Sequence, residues 1–276
     1  MKFLLVSLVL LVFCLCNLTE SKNGVMPWMG LERTNESISD DLQQIESIQS
    51  LLTLVAYERF NLGPNSTLIN NNFTNVLPNI TSYGLKGLSM ISTYPWGRPE
   101  TIEWCRQLFE NPQPFIDSAI QYSLTEGFYG YNVDIEPIGG NEDDAVAYAE
   151  FIDSFSRQMH QHNKILTVAA ATYDPFWNLT LLGQTEVDLI FTMSTYTSNI
   201  TTFTKNLNFA IDSIPLERLA IGLETVDNNN NPYPSDQLAL RFDLIEQANI
   251  NNIGIWSSPL PDNWLPFLKQ YVSNTL

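Results

Sequence analysis

Eight apolar runs recur along this chain, each followed by a stretch that reads as helix. The runs are Gly24–Leu31, Leu51–Tyr57, Gly87–Thr93, Gly130–Glu136, Ile165–Tyr173, Val187–Thr195, Arg218–Glu224 and Ile253–Ser257. Most are continuously apolar, the pattern of strands buried on both faces. Such strands lie in parallel sheets, and parallel neighbours need crossover segments, usually helices, between them. Strict βα alternation through 276 residues therefore predicts an α/β fold, and eight units predict a closed (β/α)8 barrel in a single domain. The clearest helix follows the fourth run. Asn141 is its cap, and Glu142, Asp143 and Asp144 load its first turn with negative charge. Val146, Ala149, Ile152, Phe155 and Met159 form its apolar stripe. Residues 61–82 are Asn-rich and read as loop, as does the tract Asn228–Asn231.

The fourth run carries the strongest chemical signal. In Gly130-Tyr131-Asn132-Val133-Asp134-Ile135-Glu136-Pro137, apolar and polar residues alternate. A period of two places Asn132, Asp134 and Glu136 on one face of a strand. Burying such a row in a core costs several kcal/mol unless each group is paired, so a site is the more economical reading. Pro137 removes the next backbone donor and ends the strand near Glu136.

In a barrel of this kind chemistry is built at the C-terminal ends of the strands. Those ends are rich in aromatics and acids: Trp28, Tyr57, Trp96, Tyr173, Tyr196, Glu224 and Trp256. Aromatic faces around carboxylates suit a sugar, whose C–H faces pack on π surfaces while its hydroxyls bond to polar groups. Trp28, Tyr57, Trp96, Tyr173 and Glu224 are therefore candidate substrate-binding residues.

Composition removes other classes. The net charge is −17, so the basic footprint of a nucleic-acid binder is missing. The same charge disfavours an anionic membrane surface. His160 and His162 are the two histidines of the chain, and both fall at a helix tail, where they complement the helix C-terminus better than they bind metal. No phosphate loop and no cysteine cluster occurs in the sequence, and no cofactor or metal is expected.

Residues 1–16 read as a signal peptide: Lys2, then an apolar run from Phe3 to Phe13, then Cys14-Leu15-Cys16 as a small-x-small cleavage pattern. Cleavage as late as about residue 22 fits the same pattern, leaving 23–276 as a barrel catalytic domain without a membrane span. Cys105 then stands alone and reads as a buried small hydrophobe. N-x-S/T sequons at Asn35, Asn65, Asn72, Asn79, Asn178 and Asn199, with a further one at Asn17 beside the junction, agree with secretion. The expectation is a secreted, glycosylated, monomeric protein, extracellular or in a lysosome-like lumen.

The segment Tyr129-Gly130-Tyr131-Asn132-Val133-Asp134-Ile135-Glu136 resembles the acid motif D-G-x-D-x-D-x-E of the family 18 glycoside hydrolases, the chitinase and chitobiase group. The last Asp and the Glu match. Tyr129 stands for the opening Asp, and Asn132 for the middle one. The resemblance implies substrate-assisted, retaining hydrolysis of β-linked N-acetylglucosaminides, chitin fragments or the N-glycan core, an exception to the two-carboxylate scheme. Glu136 is then the acid and later the base, Asp134 holds the acetamide N–H, and Asn132 stands behind Asp134. Tyr196 and Tyr131 orient the acetamide, and Trp256 forms the floor under the cleaved sugar. The stretch Met193-Ser194-Thr195-Tyr196-Thr197 is similar to the family's M-x-Y-D segment but holds one extra residue and lacks the Asp. A shifted frame there makes Met193 and Thr195 the lining residues. Two other readings stay open: a two-carboxylate retaining glycosidase using Glu136 and Glu224, and an inactive chitinase-like sugar-binding protein.

Overall fold

A computed structural model describes residues 23–30, 34–73, 75–227 and 231–273. The signal segment, the sequon at Asn17, Leu31 and residues 228–230 lie outside them. The strands are β1 (Gly24–Trp28), β2 (Leu54–Gly63), β3 (Thr67–Asn70), β4 (Lys86–Ser92), β5 (Gly130–Asp134), β6 (Ile165–Ala170), β7 (Leu189–Thr192), β8 (Leu219–Glu224) and β9 (Asn252–Trp256). The α-helices among the described residues are α1 (Asn35–Ile48), α2 (Val76–Ser82), α3 (Thr101–Glu110), α4 (Gln113–Glu126), α5 (Glu142–His160), α6 (Leu179–Gly183), α7 (Ile200–Ser213), α8 (Ser235–Gln247) and α9 (Leu265–Ser273).

Eight of these strands are parallel and follow one another around a ring, from β1 and β2 through β4 to β9. The ring closes where β1 pairs with both β9 and β2, at Trp28↔Trp256 and Trp28↔Ala56. The chain is thus a single-domain (β/α)8 barrel, and each of the eight apolar runs overlaps one of its strands.

Two apolar layers follow from the strand period. Met26, Trp28, Ala56, Leu88, Met90, Ala169, Phe191 and Ala220 fill the barrel interior. The alternate residues, among them Val25, Tyr57, Ile91, Tyr131, Val133, Val168, Ile190 and Ile221, pack outward against the helices. Large and small residues share the inner layer because the interior narrows around Trp28. A Cβ on Gly254 would lie 2.5 Å from the Trp28 indole and 2.6 Å from Phe191, so that strand carries no side chain there.

Helix α5 shows how local chemistry sets an element. Asn141 accepts from the backbone N–H groups of Asp143 and Asp144, and the Asp144 carboxylate accepts from the Asn141 N–H, a complete capping box. Asp144 also pairs with Arg106 of α3 at 2.9 Å, and this holds its carboxyl below the usual carboxylate range, mainly through the Arg106 hydrogen bond. The buried stripe is Ala145, Tyr148, Ala149, Ile152, Phe155 and Met159. Val146 is 46% exposed, one position off the stripe expected for it. Cys105 of α3 is fully buried, and burial pushes its thiol up.

The Asn-rich stretch is not loop. β2 runs six residues beyond Tyr57 and pairs antiparallel with β3 through Phe60↔Asn70 to Gly63↔Thr67. A bulge between Glu58 and Phe60 in the pairing with β4 lets it continue. The signal for this hairpin lies in Gly63-Pro64-Asn65-Ser66, where Asn65 and Ser66 hold positive φ of 54° and 58°, a conformation Asn adopts more readily than most residues. No described helix is long and apolar enough to cross a membrane.

Candidate active site

The C-terminal mouth of the barrel holds a cavity of about 340 Å³ lined by Trp28, Trp96, Asp134, Glu136, Ala169, Tyr173, Met193, Tyr196, Glu224 and Trp256. Nine of these ten residues were among the sequence candidates, and Ala169 was not. Its alanine leaves the space that a larger inward residue of β6 would fill, a signal the apolar run Val168-Ala169-Ala170-Ala171 hides.

β5 supplies the acids. Asp134 is its last residue, inward-facing and 5% exposed. Glu136 follows two residues later and is half-buried. Its backbone N–H donates to the Thr93 hydroxyl at 2.8 Å, and its Oε2 accepts from the Tyr173 hydroxyl at 2.6 Å. Asp174, next along, fixes the loop after β5 by accepting from the N–H groups of Gly139 and Gly140.

Burial raises the proton affinity of both carboxyls. For Asp134 desolvation is the larger cause and the charge of Glu136 the second, and together they hold it well above the carboxylate range. For Glu136 desolvation raises the value, opposed by the Tyr173 hydroxyl and the Trp96 indole. Two adjacent buried carboxyls cannot both ionise cheaply, so the pair holds a proton well above the pH at which isolated carboxyls lose theirs. Asp134 Oδ1 is buried and accepts no hydrogen bond from the described residues. Glu224, at the end of β8, is also raised, first by burial and then by Asp227.

Asn132 sits one layer below and does not line the cavity. It accepts from the Trp28 indole N–H at 2.8 Å and donates to the Thr167 hydroxyl at 2.9 Å. This fully buried pairing locks an indole that lines the cavity. Trp28 meets Trp256 edge to face at 6.4 Å and Phe191 at 5.2 Å. Trp96 also meets Trp256 edge to face, at 6.3 Å. Trp256 precedes a cis peptide bond to Ser257.

The extra residue after β7 is absorbed by a turn. The strand ends at Thr192, and the Tyr196 N–H donates to the Met193 carbonyl at 2.9 Å. Met193 and Tyr196 therefore both reach the cavity. Thr195, offered as a lining residue, is buried instead; its hydroxyl donates to the Gly222 carbonyl at 2.7 Å. Gly222 makes room: a Cβ there would lie 2.8 Å from the Tyr196 ring and 2.2 Å from the Thr192 carbonyl. Arg241 of α8 braces the same turn, donating to the carbonyls of Thr197 and Ser198 at 2.7 and 3.2 Å.

Two further candidates, besides Asn132 and Thr195, do not reach the cavity. Tyr131 faces the helices and donates its hydroxyl to the Ala119 carbonyl of α4 at 2.7 Å. Its strand neighbours Asn132 and Asp134 point inward, so the same period of two that assembles the acids turns Tyr131 away. Tyr57 is likewise in the outer layer, 1% exposed, because its strand neighbour Ala56 points inward, and β2 runs on past it so that it lies mid-strand rather than at the mouth. His160 pairs with Asp188 at 2.9 Å on the outer surface. Asn35, Asn65, Asn72, Asn79, Asn178 and Asn199 are all exposed. Asn178 and Asn199 cap α6 and α7 through Oδ1, which leaves Nδ2, the atom that carries a glycan, unused by the cap.

Neither a protein-family model nor a curated protein sequence matches this chain. Solved structures do resemble it. A chitinase from Chromobacterium violaceum superposes with a TM-score of 0.75 at 13% identity, over 91% of this chain and 99% of that one. The Bacillus cereus spore cortex-lytic enzyme SleL gives 0.76 at 14% identity, over 92% and 75%. An Ostrinia furnacalis Group IV chitinase, crystallised with allosamidin, gives 0.70 at 14% identity, over 91% and 98%. At such identities the likeness is one of fold.

Proposed function

We propose that this protein is a glycoside hydrolase acting on β-linked N-acetylglucosaminides by the substrate-assisted route. The observation that carries the reading is Asp134 Oδ1, a buried carboxylate oxygen without a donor, beside a second carboxyl that is well placed to hold a proton. An acetamide N–H satisfies that oxygen. The acetamide carbonyl then attacks the anomeric carbon, and the nucleophile belongs to the substrate. Glu136 gives its proton to the departing glycosidic oxygen and afterwards takes one from water. The Tyr173 hydroxyl, bonded to Glu136 Oε2, holds that carboxyl in place and stabilises its anion. Tyr196 orients the acetamide, and the sugar packs between Trp28, Trp96 and Trp256. Similarity of fold to chitinases and cortex-lytic enzymes supports the substrate class. The proposal includes removal of the leader within residues 1–22, a monomeric catalytic domain over 23–276, and glycans on exposed sequons, which a mass measurement before and after enzymatic deglycosylation checks.

A specific observation favours a second reading. Glu224 lines the same cavity and is partly buried, so a two-carboxylate mechanism with Glu136 competes. Hydrolysis of a fluorogenic di-N-acetylchitobioside by the wild type, Glu136→Gln and Glu224→Gln separates them. The substrate-assisted reading expects a loss of about 10²–10⁴-fold with Glu136→Gln and retained turnover with Glu224→Gln. Comparable loss in both, with folds intact, supports the pair. A silent wild type that still binds chito-oligosaccharide marks a sugar-binding barrel.

A further inference from the structure

A second cavity of about 340 Å³ opens beside the first, between the β2–β3 hairpin and the segment after β4. Its walls include Asn61, Ile69, Asn71, Phe73, Tyr94, Arg98 and Trp104. The hairpin that builds one wall is the part of the chain that reads as loop in the sequence. An unbroken row of rings joins the two cavities: Trp256 to Trp96 at 6.3 Å, then Trp96 to Tyr94 at 4.9 Å. Trp96 is 44% exposed, and so is Ile69 at the far rim.

The polar groups there are unevenly committed. Asn71 donates to Glu58 Oε1 at 3.1 Å and to Asn61 Oδ1 at 2.6 Å, and Asn61 donates to the Ser92 hydroxyl at 2.7 Å. These bonds fix the amides but leave the Asn71 side-chain carbonyl without a donor among the described residues. The Arg98 guanidinium has no hydrogen-bond or ion-pair partner among the described residues. A fixed acceptor and a free multi-donor fork beside aromatic faces match a neutral amino-sugar unit, whose acetamide offers one N–H and one carbonyl.

We propose that this second cavity binds a distal sugar of the same oligosaccharide whose reacting unit sits over Glu136, so that the hairpin and Arg98 set a preference for longer chains. This rests on the function proposed above. Binding energy from a remote unit raises affinity for long chains without touching the acids.

The test measures affinities of chitobiose through chitohexaose by calorimetry, on Glu136→Gln so that no chain is cut. The background is compared with the same protein carrying Arg98→Ala or Ile69→Asp. Affinity is expected to rise about tenfold or more from the shortest to the longer chains, and each added substitution to remove most of that rise while leaving chitobiose binding unchanged. Chitobiose binding with no rise, or an equal rise in all three proteins, overturns this inference and leaves the proposed function standing. No binding at any length overturns both. A circular-dichroism melt of each variant confirms that a lost rise is not a lost fold.

Discussion

At the scale of the residue, Asp134 is a buried carboxyl whose ionisation is costly. Its folded proton affinity is raised by burial and by Glu136, against about 3.9 when unfolded. Below that value it is neutral in both states and carries no penalty. As pH rises further the unfolded chain ionises freely while the folded site retains the proton, so stability falls across the window up to the raised folded value. Glu136 adds in the same direction. The melting temperature is therefore expected to drop as pH rises above about 4, and Asp134→Asn to flatten that slope while abolishing turnover; melts over a pH series check it. Trp28→Phe is a second residue-scale case. It strands the Asn132 carbonyl oxygen in a fully buried layer, and about 1–3 kcal/mol is expected to be lost in chemical denaturation.

Elements succeed here where local and long-range demands agree. Gly130 opens β5 because a Cβ would meet the Ile165 carbonyl of β6 at 2.1 Å. Gly130→Ala is expected to push the two strands apart beneath the acids, costing about 1–3 kcal/mol and lowering activity along with stability, as urea melts and turnover together will show. The capping box of α5 gives a cleaner control. Asn141→Ala is expected to cost about 1 kcal/mol with turnover intact, because Asp174 holds the loop after β5 independently. The hairpin of β2 and β3 is the element that pattern reading missed. β3 is only four residues long and leaves Ile69 exposed, so it carries no clear alternation, and β2 reaches it by running past its apolar segment through a bulge.

For the whole molecule, the charge of −17 is spread over a barrel whose core is complete without it. Self-repulsion of that size opposes the compact state and is screened by salt. The denaturation midpoint is expected to rise from low salt to about 0.15 M, by more than a neutral barrel of equal size would show; a salt series at fixed pH measures it. The charge is no part of the fold's logic, which comes from two apolar layers on either side of one closed sheet.

The alternation of apolar runs and helical stretches determined the barrel, since strands buried on both faces have few other ways to close. The period of two in β5 likewise determined that Asn132 and Asp134 point inward, and Gly222 and Gly254 mark where rings approach the backbone. Which aromatics meet the acids was settled by tertiary structure. Tyr57 and Tyr131 turned outward, both through the parity of their strands, and β2 runs on past Tyr57. Met193 and Tyr196 both turned inward through a single hydrogen-bonded turn. A sequence carries the period of an element but not where it stops or how it bends. A shift of one residue there moves a side chain from one face of the sheet to the other.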